Sequence, residues 1–555
     1  MQKNIGILLW SLFLLSPCFT TNTLDYFVGT DLLAFSLALA AAAFMFIYEH
    51  PKPKSSRSFY WLILMLTPAF LILTIGDARN PWGVYKLSAY IIAAYLIFRM
   101  SQGHANQLIH SISWTVLLAI VINFYAFVAI SQTFHLFQED QHSLFAIFSY
   151  ATRFSGPLLQ PNLTCLFLNI AIITILSQAS HNAYKIIWFI SIILPSALII
   201  SSNSRSGLLI LLFILLAFLI FSQNKKTYIL RITPIFATAF SIAFLWNLTL
   251  QQANIAEPVI ASRLVSVGLI DHLNLWYSSI HLFLEHPLLG VGYGNLASYF
   301  AEAQAYIHIN HPKFPTMAAA TYWSHNLILQ FFAEGGGLAG VGILFFLIYI
   351  AKHNITLLFQ KCNTSSIHFA PMLVVSVILV HGMVSISIFQ GFFLCLLSLY
   401  LAALFPSLPN KNEKHLTIKR YSPIFFLPAL YFFVTFYQFV NIQADIRSVF
   451  DEAPDQPQFI SNTAKAIDNP WLARSGLEYL FTNMALTTNS AQRWIDSYPF
   501  LYHWWLLSQD PSSLHYLILY AKLTNNHLLE AYWQKLYDNA FNPDIYNLKN
   551  KLPDY

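Results

Sequence analysis

The sequence predicts an all-α fold: a polytopic helical membrane bundle of about thirteen spans, a large extracytoplasmic loop, and a small helical C-terminal domain on the same side. Three observations predict it. Apolar residues make up 57% of the 555 residues and charged residues only 10%, whereas a soluble domain is about a quarter charged. The apolar residues gather into runs close to the roughly 17–25 residues that a helix needs to cross a bilayer. The charge is also divided. From Asn441 onward the chain carries 8 Lys/Arg and 12 Asp/Glu, a net of −4, while the remainder holds 21 basic and 12 acidic residues, a net of +9. This describes a basic membrane body followed by an acidic soluble tail. The mean hydropathy of +0.55 and the 16% aromatic content fit many crossings of a membrane interface.

Thirteen runs qualify as spans. They lie at about 5–20, 31–48, 59–75, 86–99, 111–132, 159–178, 186–201, 207–222, 229–248, 325–351, 369–388, 391–407 and 422–441. The first reads as a signal anchor rather than a cleaved signal peptide. Basic residues orient the bundle. With the N-terminus in the cytoplasm, fifteen Lys/Arg fall in inside segments, among them Lys52, Lys54, Lys225, Lys226, Lys419 and Arg420; the short outside loops hold Arg79, Lys86, Arg153 and Arg205. The same excess accounts for the net positive charge, so no nucleic-acid partner is implied.

Four domains follow: an N-terminal bundle of nine spans over 1–248, an outside loop over 249–324, the remaining spans over 325–441, and a soluble helical domain over 442–555. Within the loop, spaced apolar residues from Arg263 to Leu284 predict a helix lying on the membrane surface. HPLLGVGYGN at 286–295 ends it, because Pro and three Gly forbid its continuation. The tail reads as helices at about 462–486, 490–508, 513–524 and 526–540, rich in Trp and Tyr. Cys18, Cys165, Cys362 and Cys395 form no CxxC pair, which predicts neither a disulfide framework nor a metal cluster. GVGYGN has the wrong spacing for a dinucleotide loop, and no Walker motif is present, so no nucleotide or other cofactor is expected.

Several polar residues are predicted at the outer face. Arg153 precedes FSGPLLQPN at 154–162, Arg205 sits in the tight turn SSNSRSG at 201–207, Arg263 begins the surface helix, and His325 lies in YWSHNLILQFFAEGG at 322–336. A guanidinium fork suits phosphate, so three arginines on one face point to a bound phosphate or diphosphate. An imidazole titrates near neutral pH and suits a general base. His286, His308 and His311 compete with His325 for that role. Glu334 is an ionisable residue within the tenth span, a functional candidate that a polar interhelical contact explains equally well.

These motifs resemble the Wzy/O-antigen ligase superfamily. HPLLGVGYGN followed by SHNLILQFFAEGGGLAG is similar to its core, SNSRSGLL to its arginine-containing turn, and FSGPLLQPNLT to the Gly-x-x-x-Gln-Pro-Asn element of its protein O-oligosaccharyltransferase branch, the pilin-type O-glycosylation ligases. The resemblance covers about 150–345, and the acidic tail favours that branch. It implies a glycan carried on undecaprenyl diphosphate as donor and an exported, pilin-like protein as acceptor. It implies that Arg205 and Arg263, with Arg153, hold the diphosphate, that His325 assists the attacking hydroxyl, and that Gln160 and Asn162 shape the site. It further implies a bacterial inner-membrane enzyme with its active site and C-terminal domain in the periplasm, using no metal and inverting the anomeric centre. One element departs. Many members carry a later His-Ser-x-x-Glu-Tyr-Pro-like sequence, and here HGMVSISIFQ at 381–390 lacks the acid and the tyrosine. An O-antigen ligase or polymerase differs from this reading only in acceptor. A lipid-glycan flippase calls for charges near the midplane of several spans, where this chain has few.

Overall fold

The computed structural model describes residues 2–19, 26–49, 57–76, 78–103, 105, 158, 160–179, 191–202, 204–252, 268–312, 321–359, 364, 366–406, 422–448, 477, 480–481 and 491–541. Seventeen α-helices occur among the described residues: α1 (Gln2–Phe19), α2 (Tyr26–Glu49), α3 (Arg57–Ile75), α4 (Pro81–Ser101), α5 (Pro161–Ala179), α6 (Ile193–Ser201), α7 (Arg205–Phe221), α8 (Lys225–Gln252), α9 (Gly268–Glu285), α10 (Phe300–Asn310), α11 (Leu327–Phe359), α12 (Phe369–His381), α13 (Gly391–Leu404), α14 (Leu427–Ser448), α15 (Ala491–Leu507), α16 (Pro511–Leu523) and α17 (His527–Ala540). The fold is all-α, as expected. Twelve of the thirteen expected runs overlap α1–α8 and α11–α14, though the run at 369–388 is one helix only as far as His381; the run at 111–132 and residues 186–190 lie outside the described residues. Among the described residues five stretches, Val28–Ile47, Pro81–Ser101, Lys225–Leu245, Leu327–Phe359 and Ile424–Ile442, are long and apolar enough to cross a membrane, and six shorter apolar helices accompany them.

The chain divides into two units. The first comprises 1–55, 93–266 and 348–436. Small residues let its helices approach closely, as packing between apolar helices requires. A Cβ on Gly207 of α7 would lie 2.6 Å from Cys165 Cβ on α5. Beside that contact, Asn169 Nδ2 donates to the Gly207 carbonyl at 3.1 Å. Asp31, a buried acid in α2, accepts the Phe392 N–H at the start of α13 at 3.3 Å. A helix N-terminus is the place where a carboxylate is stabilised.

The second unit comprises 56–92, 267–347 and 437–555. Here the expected loop helix and the tail helices share one apolar core. Leu275 and Phe300 pack with Trp494, Trp504, Trp505, Trp533 and Phe541. Polar contacts reinforce the join. Gln509 Nε2 donates to Glu302 Oε1 at 2.9 Å, and Ser298 Oγ donates to the Leu507 carbonyl at 3.1 Å. Arg79, read from sequence only as an outside charge, donates to the same Glu302 oxygen at 2.9 Å and lies 3.8 Å from the centre of the Tyr299 ring. Helices α15, α16 and α17 match three of the four expected in the tail; the fourth, at 462–486, lies almost wholly outside the described residues.

Helix α11 is broken at Gly336, whose φ of 62° and ψ of −162° belong to a region essentially reserved for glycine. The break releases backbone groups, and HPLLGVGYGN satisfies them. Val291 N–H donates to the Ala333 carbonyl and Gly292 N–H to the Glu334 carbonyl, both at 2.9 Å, while Gly337 N–H donates to the Pro287 carbonyl at 2.7 Å. A Cβ on Gly336 would lie 2.2 Å from the Leu288 carbonyl oxygen. Gly336→Ala is therefore expected to lower the thermal unfolding midpoint of the detergent-solubilised protein, with a loss of about 1–3 kcal/mol from backbone strain before the clash is added. Gly337→Ala, whose Cβ would meet only the Pro287 carbonyl at 3.2 Å, is the milder control.

Candidate functional site

In the first unit the Arg205 turn is built by serines. Ser204 caps α7, its Oγ accepting the Gly207 N–H at 3.1 Å; an N-cap hydroxyl satisfies one of the donors a helix start leaves open. Arg205 is then the first helical residue and is exposed. Two properties coincide there: the positive end of the α7 dipole and a guanidinium, a combination suited to an anion. The same Ser204 Oγ donates to Asn162 Oδ1 at 2.7 Å. The Gln-Pro-Asn element and the arginine-containing turn, 42 residues apart, thus meet through one hydroxyl. Gln160 precedes α5, and its carbonyl accepts the Thr164 N–H at 3.0 Å. Its buried side-chain oxygen has no hydrogen-bond partner among the described residues.

Sequence reasoning set His381 aside, because the acid and tyrosine that accompany it elsewhere are missing. Yet its ring is fully buried at the end of α12, with Nδ1 3.0 Å from Ser387 Oγ and Nε2 3.5 Å from Ser206 Oγ. Ser206 Oγ in turn lies 3.3 Å from Ser204 Oγ. The available signal was an ionisable residue ending an apolar run, which is by default a functional candidate.

In the second unit His325 occupies a left-handed turn with φ 54°, one of two non-glycine residues with positive φ among the described residues. Its neighbours hold it there. Ser324 Oγ donates to the Asn326 carbonyl at 2.8 Å. Gln330 Oε1 accepts the Ser324 N–H, and Gln330 Nε2 donates to the Tyr322 carbonyl at 3.2 Å. Asn326 Oδ1 caps α11 by accepting the N–H groups of Ile328 and Leu329, both at 3.1 Å. The His325 ring meets the His272 ring edge to face at 5.3 Å. Burial, and secondarily His272, push the His325 pKa down to about 4, so the imidazole is neutral near pH 7 with one nitrogen free to accept a proton. The sequence offered no sign of His272; its proximity arises only when α9 folds beside the turn. Of the competing histidines, His286 packs on Tyr299 and His311 on Tyr277.

Glu334 is buried, and its Oε1 accepts the Leu296 N–H at 3.0 Å. It ties the glycine-rich loop to the broken helix. The loop is pinned further by Tyr293, whose hydroxyl donates to the Met65 carbonyl at 2.6 Å. Asn295 pins it too, pairing with both backbone groups of Asn80 at 2.6 and 2.9 Å. Arg153 and Arg263 lie outside the described residues.

Taken together, the described helices define a class: an α-helical membrane protein whose polar turns include those at Arg205 and His325. Residues 190–347 match the O-antigen ligase family model, so that segment is similar to the domain of a glycan-transferring family. The match takes in Arg205, HPLLGVGYGN, His325 and Glu334, and begins after the Gln-Pro-Asn element. No curated protein matches the chain.

Proposed function

We propose that this protein is a protein O-oligosaccharyltransferase of the bacterial inner membrane. It moves a preassembled glycan en bloc from undecaprenyl diphosphate to a Ser or Thr hydroxyl of an exported, pilin-like protein. The observation that carries this reading is the Ser204–Asn162 hydrogen bond, which joins the element characteristic of that branch to the arginine turn within the matched family segment. The proposed topology places the N-terminus in the cytoplasm, and the Arg205 turn, the loop 249–324 and the tail 442–555 in the periplasm, following the distribution of basic residues.

The chemistry asks little of the protein. The acceptor hydroxyl oxygen attacks the anomeric carbon, and the bond from that carbon to the diphosphate oxygen breaks. The electron pair leaves with the lipid diphosphate, and the hydroxyl proton passes to a base. In this reading Arg205, with Arg153 and Arg263, meets the charge that grows on the departing diphosphate. His325, neutral and held in its turn, takes the proton. Gln160, Asn162 and Glu334 keep the surrounding backbone in place. A single displacement inverts the anomeric centre.

The test is transfer in a host supplied with a defined lipid-linked glycan and candidate pilins. A glycan mass gained by a pilin only when this chain is present supports the reading. Glycan found on lipopolysaccharide core instead, or as lengthened polymer, moves the assignment to an O-antigen ligase or polymerase. Donor that collects on the cytoplasmic face when the chain is deleted, with no acceptor modified in its presence, makes it a flippase.

A further inference from the structure

Behind the Arg205 turn runs a row of buried and half-buried polar side chains, of which the transfer chemistry leaves Ser387, His381 and Ser206 without a role. It begins at Ser387, passes through His381, Ser206 and Ser204, and ends at Asn162. A buried ionisable side chain in an apolar bundle costs free energy unless it is hydrogen-bonded, so each of these contacts has to be satisfied.

One order of protons satisfies them with a neutral ring. Asn162 Oδ1 can only accept, so the Ser204 hydroxyl hydrogen points to it. The two lone pairs of Ser204 Oγ then accept from the Gly207 N–H at 3.1 Å and from the Ser206 hydroxyl at 3.3 Å. With its hydrogen committed, Ser206 Oγ can only accept from His381, which makes His381 Nε2 the protonated nitrogen. Nδ1 is left as an acceptor and takes the Ser387 hydroxyl hydrogen. The chain therefore runs in one direction, from α12 and the segment after it to the first turn of α7 and the start of α5.

We infer that His381 is a positioning residue for Arg205: as the Nε2–H tautomer it donates to Ser206 and, through Ser206 and Ser204, holds the first turn of α7 so that the arginine meets the diphosphate. This rests on the proposed role of Arg205. The missing acid and tyrosine after His381 then have a local counterpart, since Ser387 supplies the partner that fixes the ring. The Nε2–Ser206 contact, at 3.5 Å, is the longest in the row and is the one that tightening on ligand binding would shorten.

The experiment uses the full-length protein in nanodiscs. Undecaprenyl diphosphate is the binding probe, and glycan transfer is measured alongside. His381→Gln keeps an amide donor near the Nε2 position, whereas His381→Asn keeps a polar group only near Nδ1. Binding of undecaprenyl diphosphate is expected to weaken about tenfold in His381→Asn, the scale of one lost hydrogen bond, and to return to within about threefold of the native protein in His381→Gln. The KM for donor should rise in parallel while the KM for acceptor stays unchanged. In an Arg205→Ala background His381→Asn should add nothing, because residues acting through one group are not additive. Ser206→Ala, which removes only the hydroxyl, reproduces the Asn effect and serves if the histidine variants do not fold. Equal binding in native, His381→Asn and Ser206→Ala proteins overturns the inference, as does an additive double mutant. Native protein that binds no undecaprenyl diphosphate overturns the proposed function instead.

Discussion

Arg205→Ala is expected to slow glycan transfer about 100- to 1000-fold at saturating donor, the usual cost of removing one group that stabilises charge growing in a transition state. The physical case rests on position. Arg205 is exposed at the first helical residue after a Ser204 cap, so truncating its side chain uncovers little buried surface. The unfolding midpoint should therefore stay near that of the native protein while activity collapses. Arg205→Lys should recover only part of the loss, because an ammonium is a point charge and cannot make the paired hydrogen bonds of a guanidinium fork to phosphate. The measurement is initial transfer rate in proteoliposomes with purified lipid-linked donor. A rate within threefold of native in Arg205→Ala would remove Arg205 from the mechanism.

His325→Ala is expected to lower transfer about 100- to 10,000-fold, the range for loss of a general base, with the lipid-linked donor still present on the periplasmic face of the cell. Its pH behaviour follows from the burial of the ring. A histidine in the unfolded chain titrates near pH 6.5, and His325 in the folded protein near about 4. Between those values the unfolded state binds more protons, so stability falls as pH drops from about 6.5 to about 4 and is level below that for this group. His325→Gln should remove that part of the slope in a pH series of unfolding midpoints. Activity carries a second sign. If His325 is the base, as proposed, it is already neutral at pH 5–7, and the acid limb of kcat/KM that it contributes should lie near 4 rather than near 6.5. A native acid limb near 6.5 that persists in the His325→Gln variant would assign it to another group.

Glu334 illustrates how far composition reaches. Its place within an apolar run marked it as either functional or structural, and the hydrogen bond from Leu296 N–H gives it a definite structural partner. Gly336 illustrates the opposite limit. Three consecutive glycines at 335–337 announce a weak point in α11, but which of them adopts positive φ depends on the Leu288 backbone packed against it. Asn162 and Ser204 show a third case. Each motif was visible alone, and their meeting was not, because nothing in local spacing reports a contact across 42 residues.

The span positions, the helical class and the acidic tail were readable directly, since the bilayer requires long apolar helices and the hydrophobic pattern is a local property. Of the arginine and histidine candidates, Arg205 and His325 were readable as residue types in turns; Arg153 and Arg263 lie outside the described residues. The shared core of loop and tail helices, the break at Gly336, the His272–His325 ring contact and the polar row from Ser387 to Asn162 were not. Amphipathic periodicity tells which face of a helix is buried and is silent about what buries it. The polar partners of His381 come from residues 6 and 175 positions away. The chain thus carries its apolar helical character in local pattern, while contacts such as Ser204–Asn162 and His272–His325 arise only from packing between distant segments.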